Sequence, residues 1–443
     1  MVTSLVGAFP WMLTGGYGIL WPNALGMALA PAGVALGMSI IRVSAGDSFG
    51  AWRRWFFAAA GAFAITIAHP NSALSVAVIL VFPLLMAIGR TLAGRYRRHR
   101  VGTTLGLLGA IAVLAGGVVV ASKLALIQAV ESVAWPTTES PAHAVVSALS
   151  DATNGQKPEL LLASFSIIGM VACFVWRQRR WLVCGELAVV ALYVGSAAVG
   201  TPTARLFTGL WFDDSYRIAA ILPVVVIPLA TMGVLALGDW LQRVPFQAAV
   251  AARPALAIAV PVALGALVAG ATAVQSIPRN VHVVGSQFNT SGNETLVSSS
   301  KVQFLQNVAR LVPASDLVAD NPFDGTAYLY TLTGTRVMFP QMSRSPDPDV
   351  TYLAQNFVRL GQDPRACALV RRYAVRYLVV APDDYLKKWQ VVKRSFYAGV
   401  AYPGAHSGFR LIASADRGQL RLYKITICQP GSPSAGPVEA VSR

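Results

Sequence analysis

The sequence is short of charge, and the charge it has is lopsided. Only 13% of its 443 residues are Asp, Glu, Lys or Arg, with 20 acids against 36 bases. A soluble chain of this length needs a more polar surface, so an ordinary cytosolic globule is excluded. The five histidines are scattered, and no zinc-ligand spacing, HExxH, Walker sequence or dinucleotide glycine fingerprint occurs. A protein-held metal centre and nucleotide chemistry therefore lack sequence support. The carboxylates Asp213 and Asp214 could nonetheless share a divalent ion such as Mg or Mn with a phosphorylated lipid. Four cysteines are too few for a disulfide scaffold. Cys173 and Cys184 fall in or beside apolar runs, whereas Cys367 and Cys428 lie in the polar C-terminal part and can pair if it meets an oxidising compartment. The opening residues show neither a basic region nor a small-residue cleavage site, which argues against a signal peptide.

What the chain does have is apolar sequence: 55% hydrophobic residues, a mean hydropathy of +0.54 and several windows longer than 18 apolar residues. The fold expected is a polytopic α-helical membrane protein of about eight transmembrane helices with a C-terminal extracytoplasmic α/β domain. The spans are read at about Ile19–Ile41, Trp55–Ile67, Ser72–Ile88, Val101–Ala121, Leu160–Trp176, Leu182–Val199, Tyr216–Leu237 and Pro254–Ala273. A net charge of +16 could point to nucleic acid, but the arginines lie in short runs between spans, so no nucleic-acid partner is expected. The runs at Arg42/Arg53/Arg54, Arg90–Arg100, Arg177–Arg180 and Arg243/Arg253 alternate onto one side, which the positive-inside rule makes cytoplasmic. The plasma (inner) membrane is then the expected location, with the loops at 69–71, 122–159 and 200–215 and everything after Ile277 outside.

By composition the chain divides into a transmembrane domain at 1–275, an extracytoplasmic α/β domain at 276–428 and a Pro/Gly/Ser-rich tail at 429–443, expected to be disordered. In the second part, 302–311 has helical spacing, Asp316–Asp320 followed by Asn321–Gly325 reads as a strand ending in a turn, and Thr326–Leu332 reads as a short helix closed by Gly334. A strand at Arg336–Pro340, a helix at Val350–Leu360 capped by Asp349, a helix at Pro364–Tyr373 and a strand at Val375–Val380 follow. Phe409–Ile412 and Leu420–Ile427 form a hairpin. That order implies some parallel pairing through crossovers.

The stretch around which the chain is organised runs from Phe207 to Asp239, where Leu210-Trp211-Phe212-Asp213-Asp214-Ser215-Tyr216-Arg217 leads into an apolar span. Ionisable groups at a membrane mouth are costly unless paired, wet or used. Asp213 or Asp214 could deprotonate an acceptor hydroxyl, and Arg217 could stabilise a departing phosphate. Asp214 also reads as a helix cap paired with Arg217 one turn on. His69, Lys123, Glu131, Glu139, His143, Asp151 and Trp211 share the expected outer side. His69, Lys123, Glu131, His143 and Trp211 are the substrate-binding candidates, though His69 also reads as a cap and the residues of the 122–159 loop individually read as solvated. Tyr385, Trp389, Tyr397 and Tyr402 could stack on an acceptor glycan, or simply hold a small sheet together.

Trp21-Pro22-Asn23, Thr208–Ala220, Pro228-Leu229-Ala230, Asp320–Gly325 and Ser407-Gly408-Phe409 resemble an uncharacterised family of actinobacterial multispan membrane proteins. That family is in turn similar to GT-C type glycosyltransferases. The resemblance implies a polyprenyl-phosphate-linked sugar as donor, a cell-envelope glycan or lipid as acceptor and membrane lipid as surroundings. In GT-C enzymes the base is an acid in the first extracytoplasmic loop, which matches no residue here; the chain reads as the C-terminal part of such a protein, with N-terminal spans or a protein partner supplying the rest. The alternatives are a non-catalytic envelope assembly protein and a transporter or flippase of envelope lipids.

Overall fold

The structure is a computed structural model that describes residues 20–41, 50–97, 99–106, 109, 135–176, 179–241, 254–287, 296–342, 345–382, 397–403 and 408–428. The chain divides into two compact units, Met1–Gln287 and Phe288–Arg443.

The described part of the first unit is helical. Its helices are α1 (Trp21–Ile41), α2 (Ala51–Ala68), α3 (Pro70–Tyr96), α4 (Pro141–Leu149), α5 (Leu160–Val175), α6 (Arg180–Val194), α7 (Pro202–Thr208), α8 (Ser215–Ala219), α9 (Leu222–Leu241) and α10 (Pro254–Gln287). Among the described residues, five stretches are long and apolar enough to cross a membrane: α1, α3, α6 with its terminal turn, α8 with α9, and Ile258–His282 of α10. The protein is therefore a polytopic membrane protein with a largely helical membrane unit. Of the other three spans expected, α2 begins at Ala51, so that Arg53 and Arg54 lie in its first turn rather than in a loop. The apolar α5 has 16 residues, and most of 101–121 lies outside the described residues.

Proline and small residues decide how these helices meet. Pro223 follows the helix break at Ala220–Ile221, where its missing N–H costs no ladder bond. On α1, a Cβ added at Gly26 would lie 2.7 Å from the Ser72 side-chain carbon of α3, so the two helices approach closely there. The closest crossing joins α5 to α9. A Cβ at Gly169 would sit 1.8 Å from the Leu229 carbonyl oxygen, and one at Gly233 would sit 2.0 Å from that of Phe165. Backbone rests on backbone at this point, with Leu162, Phe165, Leu229 and Ala230 buried around it.

The change of composition at Gln275 is not a break in the chain's structure, since α10 continues through Pro278 to Gln287. Its polar stretch is anchored on the turn before α5. Gln275 donates to the Pro158 carbonyl at 2.8 Å, Ser276 donates to Glu159, and Arg279 reaches the Lys157 carbonyl.

The second unit holds a four-stranded mixed sheet in the order β1-β2-β4-β3, with β1 (Leu317–Ala319), β2 (Val375–Val380), β3 (Phe409–Ala415) and β4 (Leu420–Ile425). β1 and β2 pair in parallel through a helical crossover, while β4 runs antiparallel to both neighbours. The helices are α11 (Ser299–Leu311), α12 (Tyr328–Thr333), α13 (Pro348–Asn356) and α14 (Pro364–Arg372). Two expectations change. The segment at Arg336–Pro340 makes a single bridge, Val337 to Val318, because Asp320 takes the Phe339 N–H at 2.8 Å and Pro340 has none to give. Asp347, not Asp349, caps α13, since Pro348 is pre-set for the first helical position; Asp349 instead meets Arg365 and Arg372. The tail beyond Cys428 lies outside the described residues.

Cys367 and Cys428 form a disulfide across 61 residues. Closing a loop of that size in the unfolded chain contributes about 4 kcal/mol in the chain-entropy model. Cys367→Ser is expected to lower the urea midpoint of the second unit accordingly, followed by limited proteolysis of the intact protein in detergent. Asp324 adds a pH dependence. Its carboxylate accepts the N–H groups of Thr326 and Ala381 at 2.8 and 3.0 Å, and burial pushes it up to about 7. A raised carboxyl leaves the native state protonated while the unfolded chain ionises. This contribution is complete below about pH 4 and is lost as pH rises to about 7. The same proteolysis assay should show the midpoint falling over that window.

Candidate functional site

The polar groups of the membrane unit gather at the end of the helices where α1, α3, α5 and α8 begin. Each has a local reason to be there. Thr201 accepts the Ala204 N–H and Pro202 opens α7, which turns Arg205 and Thr208 toward the following loop. Phe212 and Asp213 then adopt left-handed backbone, with φ of 62° and 54°, costly for residues with a Cβ. That double reversal sends the neighbouring carboxylates in different directions.

Asp213 is fully buried. It accepts a hydrogen bond from Thr208 Oγ1 at 2.6 Å and faces Arg205 Nε at 3.4 Å. Asp214 is also buried; it caps α8 by accepting the Tyr216 N–H at 2.9 Å and pairs with Arg217 Nε at 3.1 Å. Burial raises both carboxyls, Asp214 to about 6, against the opposing pull of the arginines. Arg217 lies over the Phe212 ring at 4.5 Å, and its Nη1 is buried without a hydrogen-bond partner.

Around this pair of ion pairs, the structure brings in two of the other predicted residues. His69 caps α3, its Nδ1 accepting the Asn71 N–H at 3.2 Å; burial and then the Arg217 charge push its pKa down. Trp211 is buried and donates from Nε1 to Ser75 Oγ at 3.0 Å, so its indole ties the loop to α3 rather than offering a stacking face. His143 stands apart, exposed on α4 with Nδ1 3.0 Å from Glu139. Glu139 is not solvated, since it also accepts from Ser147 at 2.7 Å and from Tyr193 at 2.6 Å. Tyr193 in turn accepts the Asn154 N–H, and Asn154 accepts from Ser215, beside Asp214. Asp151, also expected to be solvated, is buried. Lys123 and Glu131 lie outside the described residues, as do Tyr385 and Trp389. Tyr397 is buried in the second unit and donates to the Gln341 carbonyl at 2.6 Å; Tyr402 is exposed beneath Arg421.

The residues do not fit a divalent ion at Asp213 and Asp214. Each carboxylate already faces its own guanidinium, and the reversed backbone turns the two apart. Among the described residues no group of three or more His, Cys, Asp or Glu side chains is placed to hold a metal. Sequence reading missed Arg205, Thr208, Tyr193, Glu159 and Glu186. The Thr201-Pro202 start signal could have located the short helix carrying the first two, but nothing local announced the others.

The family model for a family of unknown function, DUF6541, matches residues 1–427. The chain belongs to that family. No curated protein matches it. The match extends through both units.

Proposed function

We propose that this DUF6541 protein is a GT-C-like membrane glycosyltransferase, or the C-terminal portion of one, that transfers a sugar from a polyprenyl-phosphate donor to an envelope glycan or lipid. The observation that carries the reading is Arg217: a guanidinium held on a buried aspartate, with Nη1 buried and unpartnered. Planar guanidinium donors suit phosphate oxygens, and a site out of bulk water strengthens their pull on a leaving phosphate. In this reading eight spans place the loop at 200–215 and the second unit outside the plasma membrane, opposite the arginine runs. Asp213 or Asp214 serves as proton acceptor.

A flippase of envelope lipids is the second reading, favoured by Glu186, a buried carboxyl within a membrane helix whose Oε2 accepts from Ser166 at 3.3 Å. Incubating the purified protein with polyprenyl-phosphate pentoses and mannose separates them. The transferase reading expects sugar transfer, abolished in Arg217→Ala. Absence of transfer, with envelope glycans unchanged on deletion, would remove it.

A further inference from the structure

Beneath the 150–159 turn lies a second group of ionisable side chains that the proposed chemistry does not use. Asp151, Glu159 and Glu186 are each about 1–2% exposed and come from three places: the end of α4, the start of α5 and the middle of α6. Among the described residues one cation faces them, Arg279 of α10, whose Nη1 is 4.0 Å from Glu159 Oε1. Glu159 also accepts from Ser276, and Glu186 from Ser166. Asp151 has neither aid: both carboxylate oxygens are buried without a hydrogen-bond partner, and so is the hydroxyl of Thr153 two residues on. Its backbone is left-handed, with φ of 55°. The turn holds it there through its own amide, which donates to the Ala148 carbonyl at 3.3 Å.

Charge bookkeeping decides what such a group must be. Three buried carboxylates against one guanidinium leave an excess of negative charge where water cannot screen it, and an unpaired buried carboxylate is among the most costly groups in a protein. Neutrality needs a bound cation or protons. The described residues present no metal-holding group there, since the acids are spread over separate helices. We propose that Asp151 is a proton-binding site of the membrane unit, carrying a proton at neutral pH. Among the described residues the charged groups facing it are Glu159, Glu186 and Arg279; the first two oppose its ionisation and the last favours it. Burial is the larger cause of the raised carboxyl, in agreement with the geometry. This inference does not depend on the glycosyltransferase reading.

Infrared difference spectroscopy of the full-length protein in detergent, wild type minus Asp151→Asn at pH 7, tests it. The expected result is a positive carbonyl stretch of a protonated carboxyl group, with no positive band in the carboxylate region. A difference in the carboxylate stretches alone would overturn the proposal, because Asp151 would then be an anion with a cation or water beside it. Should Asp151→Asn fold poorly, Asp151→Glu in the full-length protein gives the second readout: wild type minus Asp151→Glu at pH 7 should show a pair of protonated-carboxyl bands of opposite sign. Absence of that pair contradicts the assignment.

Discussion

Gly233→Ala is expected to destabilise the membrane unit by about 3 kcal/mol or more, at or beyond the upper end of what overpacking usually costs. The added methyl would lie 2.0 Å from the Phe165 carbonyl oxygen and 2.9 Å from its carbon, so no rotamer change can relieve it. Gly169→Ala meets the same wall from the other side, with Leu229 backbone at 1.8 Å. The helices α5 and α9 would have to separate. In lipid little beyond close packing holds two apolar helices together. Both variants should lose monodispersity in detergent and unfold at lower temperature. Gly89→Ala, with no atom within 4 Å of the new methyl, is the control and should match the wild type. A Gly233→Ala protein as stable as this control would mean the crossing is wrongly placed.

Arg217→Ala is expected to have the second large effect, and its pH dependence identifies the cause. Removing the guanidinium leaves Asp214 buried with only the backbone amides of residues 216 and 217 for its charge. Breaking a buried pair from one side costs about 3–5 kcal/mol. The carboxyl already stands at about 6 with Arg217 present and must rise further without it. Protonation removes the unpaired charge, so the deficit should be small near pH 5 and grow as pH rises through 6 and beyond. Adding Asp214→Asn should recover most of the stability at pH 8. Lipid-phosphate binding should remain lost in the double variant, because the recovered fold still lacks the donor. Thermal unfolding across pH 5 to 8, paired with a binding assay, reads both; a pH-independent loss would point to packing on Phe212 instead.

How much of this was legible in the sequence depends on the range of the interaction. The apolar runs located α1, α3, α6, α9 and most of α10, since a long run without charge has few other homes. The ends were less visible. The extension of α10 past Gln275 is held by Gln275, Ser276 and Arg279 on residues more than a hundred positions earlier, which composition cannot register. At the candidate site, Asp214 as both cap and partner of Arg217 followed from spacing alone. Asp213 with Arg205 did not, because the contact depends on two successive left-handed residues that no residue type announces. In the second unit, Gly334 and the hairpin around Asp416-Arg417-Gly418 were readable as turn chemistry. The cap of α13 shifted by two residues because Pro348 favoured an earlier start.

The proposed site is tested most directly by a photoreactive polyprenyl monophosphate incubated with the intact protein in lipid and crosslinked, with the labelled peptides mapped. Attachment concentrated on 205–217 and the start of α3 near His69, and lost in Arg205→Gln with Arg217→Gln, is the predicted result. Labelling spread over the lipid-facing helices and unchanged by those substitutions would contradict it.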